Sequence, residues 1–323
     1  MLKKTLRNTL TALTLTAIAG TAIAAEEAVL RIGYQKYGTL VLLRAKGSLE
    51  PRLAKEGVKV QWTEFPGGPQ LLEGLNVGGI DFGVTGETPP VFAQAAGADL
   101  VYVANEPPAP TSEAILVPKD SPIKKVADLK GKKVGLNKGS NVHYLLVRAL
   151  EEAGLTYADI QPVFLNPADG RAAFQNGNLD AWVIWDPYQA AAEKQLSART
   201  LRDGKNLVDN HQFYLARRNY AAANPRIVKI LVEEIRGVGD WSKKNPAEVT
   251  KQVAPLIGLP EDITRIAVER QGYGVVPISK PVIDAQQKIA DTFFTLKLIP
   301  KQLKIQDATL SVPAVPAAKT ASK

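Results

Sequence analysis

The sequence predicts a two-lobed α/β fold, because it repeats one pattern of strands, loops and helices about a hundred residues apart. The first copy opens with a glycine-bearing loop at 33–39, and the second with a similar loop at 135–140. The spacing from the first glycine to the aspartate that closes each copy is 48 residues in the first and 45 in the second. Two α/β lobes with equivalent loops that face one another form a cleft, which is a common place for a small ligand.

Short runs rich in β-forming residues, each ended by glycine, proline or asparagine, predict the strands. In order they are 29–34, 58–65, 80–84, 100–104, 133–137, 161–165 and 181–184. Helical patterns lie between them, at 40 onward, 70–76, 91–96, 142–153 and 171–175. This alternation of strands and helices predicts parallel strands with right-handed crossover helices.

Two further extended segments, 113–117 and 209–215, predict strands that cross between the lobes as a hinge. The chain then turns helical at 228–241, 246–256, 261–270 and 281–296. These late helices are too many for the second lobe alone, so we expect them to pack on the first. The predicted domains are therefore a discontinuous lobe I, 28–110 plus 215–310, and an inserted lobe II, 112–210.

Residues 1–24 have the pattern of a secretory signal peptide. Lys3, Lys4 and Arg7 precede a stretch of apolar and small residues that ends in Ala22-Ile23-Ala24. The chain contains no cysteine, which excludes disulfides and a lipid anchor on cysteine. We therefore expect an exported protein, most simply a periplasmic one. The tail at 311–323 lacks periodicity and is predicted to be disordered.

The composition is that of a globular protein, with 45% hydrophobic and 22% charged residues. The formal net charge of +8 includes the three positive residues of the signal segment. The remaining excess is spread as lysine pairs without interleaved aromatic residues, so we expect no nucleic-acid partner. A mild positive field would favour the approach of an anionic small molecule.

The candidate binding loops follow strands and enter helices, where open α/β sheets bind their ligands. Thr88 is predicted to cap one such helix with Pro89 as its first residue, and Ser140 to cap another. Free N–H groups at these helix starts, together with the Ser140 hydroxyl, suit an anion. The predicted ligand-binding residues of the loops are Gln35, Gly38, Thr39, Gly86, Glu87, Thr88, Gly139, Ser140 and Asn141.

Three more residues complete the predicted site. Trp185 is expected to contact the apolar body of a ligand, whereas Trp182 is expected in the core. Asp186 is expected to hold its loop by accepting backbone N–H groups, and Arg270 to supply a counter-charge. Two alternatives stay open for Glu87: its carboxylate faces away or bonds a backbone, or it contacts a cationic group on a zwitterionic ligand. Lys36 and Lys138 occupy matching positions, as ligand contacts or as solvated side chains.

Motifs of enzymes are missing from the sequence. It contains no cysteine nucleophile, no Gly-x-Ser-x-Gly elbow and no phosphate-binding loop. The two histidines, His143 and His211, have no metal-ligand spacing. Ser140 and His143 are close in sequence, but their spacing at a helix start suits capping better than proton transfer. We expect binding without chemistry: no catalytic residue, no metal and no cofactor.

The chain resembles the periplasmic aliphatic-sulfonate-binding proteins of ABC importers, most strongly over 29–190. The resemblance rests on Gly33-Tyr34-Gln35-Lys36, Glu64-Phe65-Pro66, Leu75-Asn76-Val77-Gly78, Thr85-Gly86-Glu87-Thr88-Pro89-Pro90, Phe92-Ala93-Gln94-Ala95-Ala96-Gly97-Ala98-Asp99, Lys138-Gly139-Ser140 and Trp182-Val183-Ile184-Trp185-Asp186-Pro187-Tyr188.

This resemblance implies a type II clamshell, a monomer that binds alkanesulfonates and presents them to a membrane permease with its ATPase. Relatives of the family bind taurine, nitrate or bicarbonate, so these and other small anions remain alternatives as ligands. Sulfinate desulfinases resemble the same fold and provide an enzymatic alternative. They rely on a cysteine nucleophile, which this chain lacks.

Overall fold

The computed structural model describes residues 28–310, which form two five-stranded sheets flanked by helices. The first sheet contains β1 (Ala28–Tyr34), β2 (Val58–Glu64), β3 (Phe82–Gly86), β4 (Leu100–Asn105) and β10 (Gln212–Arg217). The second sheet contains β5 (Glu113–Val117), β6 (Lys133–Leu136), β7 (Gln161–Phe164), β8 (Ala181–Trp185) and β9 (Arg199–Asp203). We call the two sheets with their helices lobe I and lobe II.

The two sheets have the same topology. Their strand orders are β2-β1-β3-β10-β4 and β7-β6-β8-β5-β9. In each sheet the first three strands pair in parallel. The fourth strand of each sheet, β10 in the first and β5 in the second, is one of the two strands that cross between the lobes. Each is antiparallel to both of its neighbours. The prediction of parallel strands is therefore confirmed for the strands that alternate with helices, and the antiparallel strands β5 and β10 are the two segments predicted to cross between the lobes.

Twelve α-helices surround the sheets within the described residues. Those of the first half are α1 (Gly38–Lys46), α2 (Leu49–Ala54), α3 (Gly68–Asn76) and α4 (Thr88–Ala95). Those of the inserted half are α5 (Asn141–Glu152), α6 (Pro167–Gln175) and α7 (Tyr188–Gln195). The late helices are α8 (Arg218–Ala223), α9 (Pro225–Lys244), α10 (Pro246–Ile257), α11 (Glu261–Arg270) and α12 (Lys280–Thr295).

Helix α5 shows how the apolar pattern becomes packing. Val142, Leu145, Leu146 and Ala149 recur at helical spacing and are fully buried in the core of lobe II. Each large apolar side chain buried in this way contributes roughly 1.5–3 kcal/mol relative to an exposed one. The buried stripe fixes α5 against β5 and β8. It thereby also fixes the position of the loop that enters the helix.

The late helices serve both lobes. Helices α9 and α10 pack on α1, and α12 packs on α4, so these three cover lobe I. Helix α11 also contacts α7 of lobe II, where Ile263 packs against Ala190 and Ala191. The domain boundaries predicted above, 28–110 plus 215–310 and 112–210, remain a proposal.

The two ends of the chain, 1–27 and 311–323, lie outside the described residues. They include the predicted signal segment and the predicted disordered tail. Across residues 28–310, none of the helices combines the length and the apolar character needed to span a bilayer.

Candidate functional site

The lobes meet where the loop between β3 and α4 lies against the loop between β6 and α5. We call residues 86–88 and 139–141 the first loop pair. A Cβ atom placed on Gly86 would lie 2.9 Å from the side chain of Asn141. One placed on Gly139 would lie 3.2 Å from the ring of Phe92 in α4. Both contacts cross between the lobes, so glycine permits a close approach that a larger residue would prevent.

The lobes meet again at the loop between β1 and α1 and the loop between β8 and α7. We call residues 36–38 and 186–187 the second loop pair. A small cavity of about 20 Å³ lies between them and is also lined by α10 and α11, through Val253, Ile257 and Val268. A Cβ atom placed on Gly38 would have no neighbour within 4 Å, so the second loop pair is more open at this position than the first is at Gly86.

Equivalent loops do not face one another, and this prediction is wrong. The loop after the first strand of each lobe faces the loop after the third strand of the other lobe. The reason is geometric. Two copies related by a rotation about an axis through the cleft place matching loops on opposite sides of that axis.

A third loop, between β2 and α3, also reaches across the cleft, and sequence reasoning missed it. A Cβ atom on Gly67 would lie 3.6 Å from Nδ2 of Asn137 and 3.7 Å from Cη2 of Trp185. Nearby, the buried Oε1 of Gln70 has no hydrogen-bond partner among residues 28–310. The only signal in the sequence is the Pro66-Gly67-Gly68-Pro69 turn after a strand.

The lobe II side of the first loop pair directs its donors differently from the prediction. The Ser140 hydroxyl donates to the carbonyl oxygen of Asn137 at 2.7 Å, so it does not point outward as expected. The Gly139 N–H donates to Nδ1 of His143 at 3.2 Å. In contrast, the N–H groups of Asn141 and Val142, the first two residues of α5, have no acceptor within residues 28–310.

The lobe I side of the first loop pair begins its helix one residue earlier than predicted. Thr88 is the first residue of α4 and not its cap, because Glu87 occupies the capping position. Within the described part of the chain, the buried Thr88 hydroxyl has no partner. The Glu87 carboxylate accepts the N–H of His211 at 3.0 Å, which corresponds to the backbone-bonding alternative. Burial raises the pKa of Glu87 to about 8.

Asn141 connects the first loop pair to both crossing strands. Its Nδ2 donates to Oε2 of Glu113 at 2.5 Å and to Oδ1 of Asn210 at 3.1 Å. Glu113 begins β5, and Asn210 precedes β10. Burial, and secondarily the charge of Glu87, raises the pKa of Glu113 well above its ordinary value. The position of this loop is therefore tied to the position of the hinge.

In the loop after β1, the predicted polar side chains bond within lobe I. Gln35 donates to the carbonyl oxygen of Val84 at 3.0 Å, and the Thr39 hydroxyl donates to Glu106 at 2.6 Å. Gly38 begins α1 with φ of 75°, a left-handed conformation that suits glycine. The N–H groups of Gly38 and Thr39 have no acceptor in the described range, 28–310.

Trp185 is buried near Gly67 of lobe I, and its ring lies edge-on to Tyr188. Asp186 accepts the N–H of Ala190 at 3.0 Å, as expected of a loop-holding carboxylate. Arg270 reaches this loop, where it lies 3.5 Å from Asp186 and 2.8 Å from Glu193.

The charged side chains near the cleft already have partners within the protein, which limits the net charge that a ligand would meet. Burial raises the pKa of Asp186 to about 7, against the lowering effect of Arg270. The positive charge of Arg270 is thus balanced by two carboxylates of lobe II. Lys36 pairs with Glu64 at 3.7 Å, and the exposed Lys138 lies over the ring of Phe164. Trp182 is buried in the core as predicted.

Two lobes of matching topology, joined by two crossing strands and in contact through the loops that follow their strands, define a two-lobed solute-binding protein. Among residues 28–310, no group of three or more histidine, aspartate and glutamate side chains could hold a metal ion. The comparison with known proteins agrees with this class.

The NMT1/THI5-like family model matches residues 53–249. An aliphatic sulfonates-binding protein of Escherichia coli is 47% identical, with coverage of 88% of this chain and 90% of the relative. One of Bacillus subtilis is 32% identical, with coverage of 86% and 84%. The alkanesulfonate-binding protein of Xanthomonas axonopodis pv. citri bound to MOPS superposes with a TM-score of 0.84 at 44% identity, over 89% of this chain and 99% of that one.

The chain therefore belongs to the NMT1/THI5-like family, in the group that includes the aliphatic sulfonates-binding proteins. The desulfurization enzyme DSZB shares the fold alone, at 16% identity and a TM-score of 0.62. The fold by itself thus occurs in a binding protein and in an enzyme, and the high-identity relatives are binding proteins.

Proposed function

We propose that this protein captures aliphatic sulfonates in the cleft between its lobes and delivers them to the permease and ATPase of an ABC importer. The observation that carries the proposal is 47% identity to an aliphatic sulfonates-binding protein over nearly the whole chain. Its relatives are named as periplasmic proteins, so we also propose a periplasmic location. We expect the protein to act as a monomer.

The donors at the loops support an anionic ligand. The N–H groups of Asn141 and Val142 begin α5 in lobe II and have no acceptor within residues 28–310, and the facing loop of lobe I adds the buried Thr88 hydroxyl, which likewise has no partner there. In the second loop pair, the N–H groups of Gly38 and Thr39 begin α1 without an acceptor in the same range. Each of these helices also has the positive end of its dipole at its N-terminus, beside its own free N–H groups. A hydrogen bond to a charged group contributes roughly 1.5–3 kcal/mol, so a few of them suffice to hold a sulfonate.

The organic part of the ligand needs an apolar surface near these donors. Trp185 and the Gly67 turn provide one, because the indole approaches the backbone of the opposite lobe. Among the other predicted site residues, the side chains of Gln35, Thr39 and Ser140 act in this proposal by shaping their loops through internal hydrogen bonds.

Closure follows from the placement of the donors. Since they come from both lobes, only the closed form satisfies one anion completely. A ligand with this preference shifts the hinge equilibrium toward closure. The importer would then recognise the closed shape.

Titration calorimetry with ethanesulfonate, butanesulfonate and octanesulfonate tests the proposal. We expect binding of these sulfonates. We also expect the ligand to change the tryptophan fluorescence of the wild type, and this change should be lost in W185F. At a ligand concentration a hundredfold above Kd, the free energy of unfolding should rise by about 2.7 kcal/mol. If nitrate or taurine binds and no alkanesulfonate does, the ligand is a different anion. If none of these sulfonates binds, the proposal fails. Release of sulfite from a bound sulfonate or sulfinate would instead indicate an enzyme.

A further inference from the structure

His143 lies where the two lobes pack against one another beside the first loop pair. It is the third residue of α5 and is fully buried. Its ring centroid lies 5.1 Å from that of Phe293 in α12 and 5.9 Å from that of Phe92 in α4. Both phenylalanines belong to lobe I, whereas His143 belongs to lobe II. Part of the burial of His143 therefore exists only when the lobes are closed.

Both ring nitrogens of His143 have defined partners. Nδ1 accepts the backbone N–H of Gly139 at 3.2 Å, so this nitrogen carries no proton. Nε2 lies 3.0 Å from the hydroxyl of Tyr157, and it therefore carries the single proton of a neutral ring. A second proton on Nδ1 would point at the Gly139 N–H and would break this hydrogen bond. The shape of the loop and the neutral state of the ring thus depend on each other.

The surroundings of His143 disfavour its charged form. Burial, and secondarily the charge of Lys138, lowers the pKa of His143 to about 3. The titratable groups that face the ring are Lys138 in the preceding loop and Tyr157 in lobe II. Helices α4 and α12 contribute the uncharged Phe92 and Phe293. The effects of Lys138, Gly139 and the helix start persist in an open form, but those of the two phenylalanines do not.

We propose that His143 is a positioning residue that shapes the Gly139–Asn141 loop for the ligand, and that closure of the lobes around it expels a proton. This inference rests on the proposed function, because a ligand must favour the closed form. The hydrogen bond from Gly139 to His143 sets where the unbonded N–H groups of Asn141 and Val142 point. Protonation of the ring would therefore oppose both closure and the geometry of the anion-binding loop.

The direction in which the affinity changes with pH follows from the pKa of His143 in the open and the closed form of the lobes. The closed form depresses the pKa of His143 more than the open form does, so closure releases a proton at a pH between the two values. Affinity should not depend on this group above about pH 6.5, the ordinary range of histidine. Below the pKa of His143 in the open form, which Lys138 and the Gly139 hydrogen bond lower, the affinity should fall by up to about tenfold per pH unit. Glu87 and Glu113, whose pKa values are raised by burial, act in the opposite direction where closure buries them.

A comparison of two histidine variants isolates the contribution of His143. In H143N the amide oxygen can accept the Gly139 N–H but the side chain does not titrate. The matched control is H211N, which removes the other of the two histidines. We expect the ratio of the Kd of the wild type to that of H143N to rise as the pH falls below the pKa of His143 in the open form, by up to about tenfold per pH unit. The ratio of the wild type to H211N should stay nearly constant.

Direct titration keeps the inference testable if H143N does not fold. The ring resonances of two histidines are readily separated by NMR, and H211N assigns them. We expect His143 of the free protein to titrate at a higher pH than in the protein saturated with an alkanesulfonate. Calorimetry in buffers of different ionisation enthalpy should show proton release on binding at pH values below the titration midpoint of His143 in the free protein. Identical midpoints with and without ligand would overturn the inference and leave the proposed function intact, whereas absence of sulfonate binding would overturn both.

Discussion

The two loop pairs of the cleft are related by the internal repeat, yet their chemistry differs. The first loop pair, 86–88 with 139–141, is closely packed and is bordered by Phe92, Phe293 and the neutral His143. The second, 36–38 with 186–187, borders a small cavity of about 20 Å³ and an ionic cluster of Asp186, Arg270 and Glu193. The repeated backbone pattern thus places loops in contact on both sides of the cleft, but the side chains that form the two contacts differ.

The late helices explain the difference. Helix α12 packs on α4 and brings Phe293 to the first loop pair. Helix α11 packs on α7 and brings Arg270 to the second. These two helices are not part of the repeat. They give each side of the cleft its own character, and the following predictions test that contrast.

The largest effect should come from a methyl group in the first loop pair. In Gly86→Ala the new Cβ would meet three atoms of the Asn141 side chain at 2.9–3.0 Å. Because Asn141 is in the opposite lobe, the clash penalises only the closed form. Overpacking costs roughly 1–3 kcal/mol, so we expect the affinity for an alkanesulfonate to fall about a hundredfold. Calorimetry measures the affinity, and the melting temperature without ligand should change little.

Gly38→Ala in the second loop pair is the control. A Cβ atom there would have no neighbour within 4 Å, but φ of 75° is unfavourable for alanine. We therefore expect lower stability, by about 1–2 kcal/mol, with a smaller loss of affinity than in Gly86→Ala. Equal losses of affinity in the two variants would contradict the contrast between packed and open loop pairs.

The repeat in the sequence predicted most strands and the loops that follow them. It could not predict which loops face each other, because the relative rotation of two lobes leaves no local pattern. Strand β9 was missed because Arg199, Arg202 and Asp203 mask its alternation at a sheet edge. Helix α7 was missed because its alanine-rich turn after Pro187 has weak periodicity.

Side-chain roles were harder to predict than the fold. Glu87 bonds the backbone of His211, which is 124 residues away in the chain. The Ser140 hydroxyl bonds three residues back, although its position at a helix start suggested an outward direction. Loop spacing indicates where donors are available, but the partners are chosen by tertiary contacts that the sequence does not display.

An intermediate effect is expected when the ionic cluster of the second loop pair is broken. Arg270→Gln leaves the buried Asp186 without its cation, and breaking a buried ion pair costs roughly 3–5 kcal/mol. Arg270 is partly exposed, so we expect a smaller loss of about 2 kcal/mol near pH 8, measured by urea unfolding.

The pH dependence of this variant identifies the cause. The pKa of Asp186 is already raised to about 7, and loss of Arg270 raises it further. A carboxyl with a raised folded-state pKa stabilises the fold as pH falls through that value. The deficit of Arg270→Gln should therefore shrink between about pH 8 and pH 5. Glu193→Gln, which removes a carboxylate from the same cluster, is the control and should not show a shrinking deficit. A deficit that is independent of pH would assign the loss to packing.

The smallest effects should come from the two lysines at matching positions of the repeat. Lys36 makes an exposed ion pair with Glu64, and the exposed Lys138 lies over the ring of Phe164. Exposed pairs contribute about 0–1 kcal/mol, so Lys36→Met and Lys138→Met should each change the affinity for an alkanesulfonate by less than about fivefold. The small loss should come from weaker long-range attraction of the anion and should disappear at high salt. A loss that persists at high salt in only one variant would show direct contact with the ligand, and would identify the loop pair that holds the anionic group.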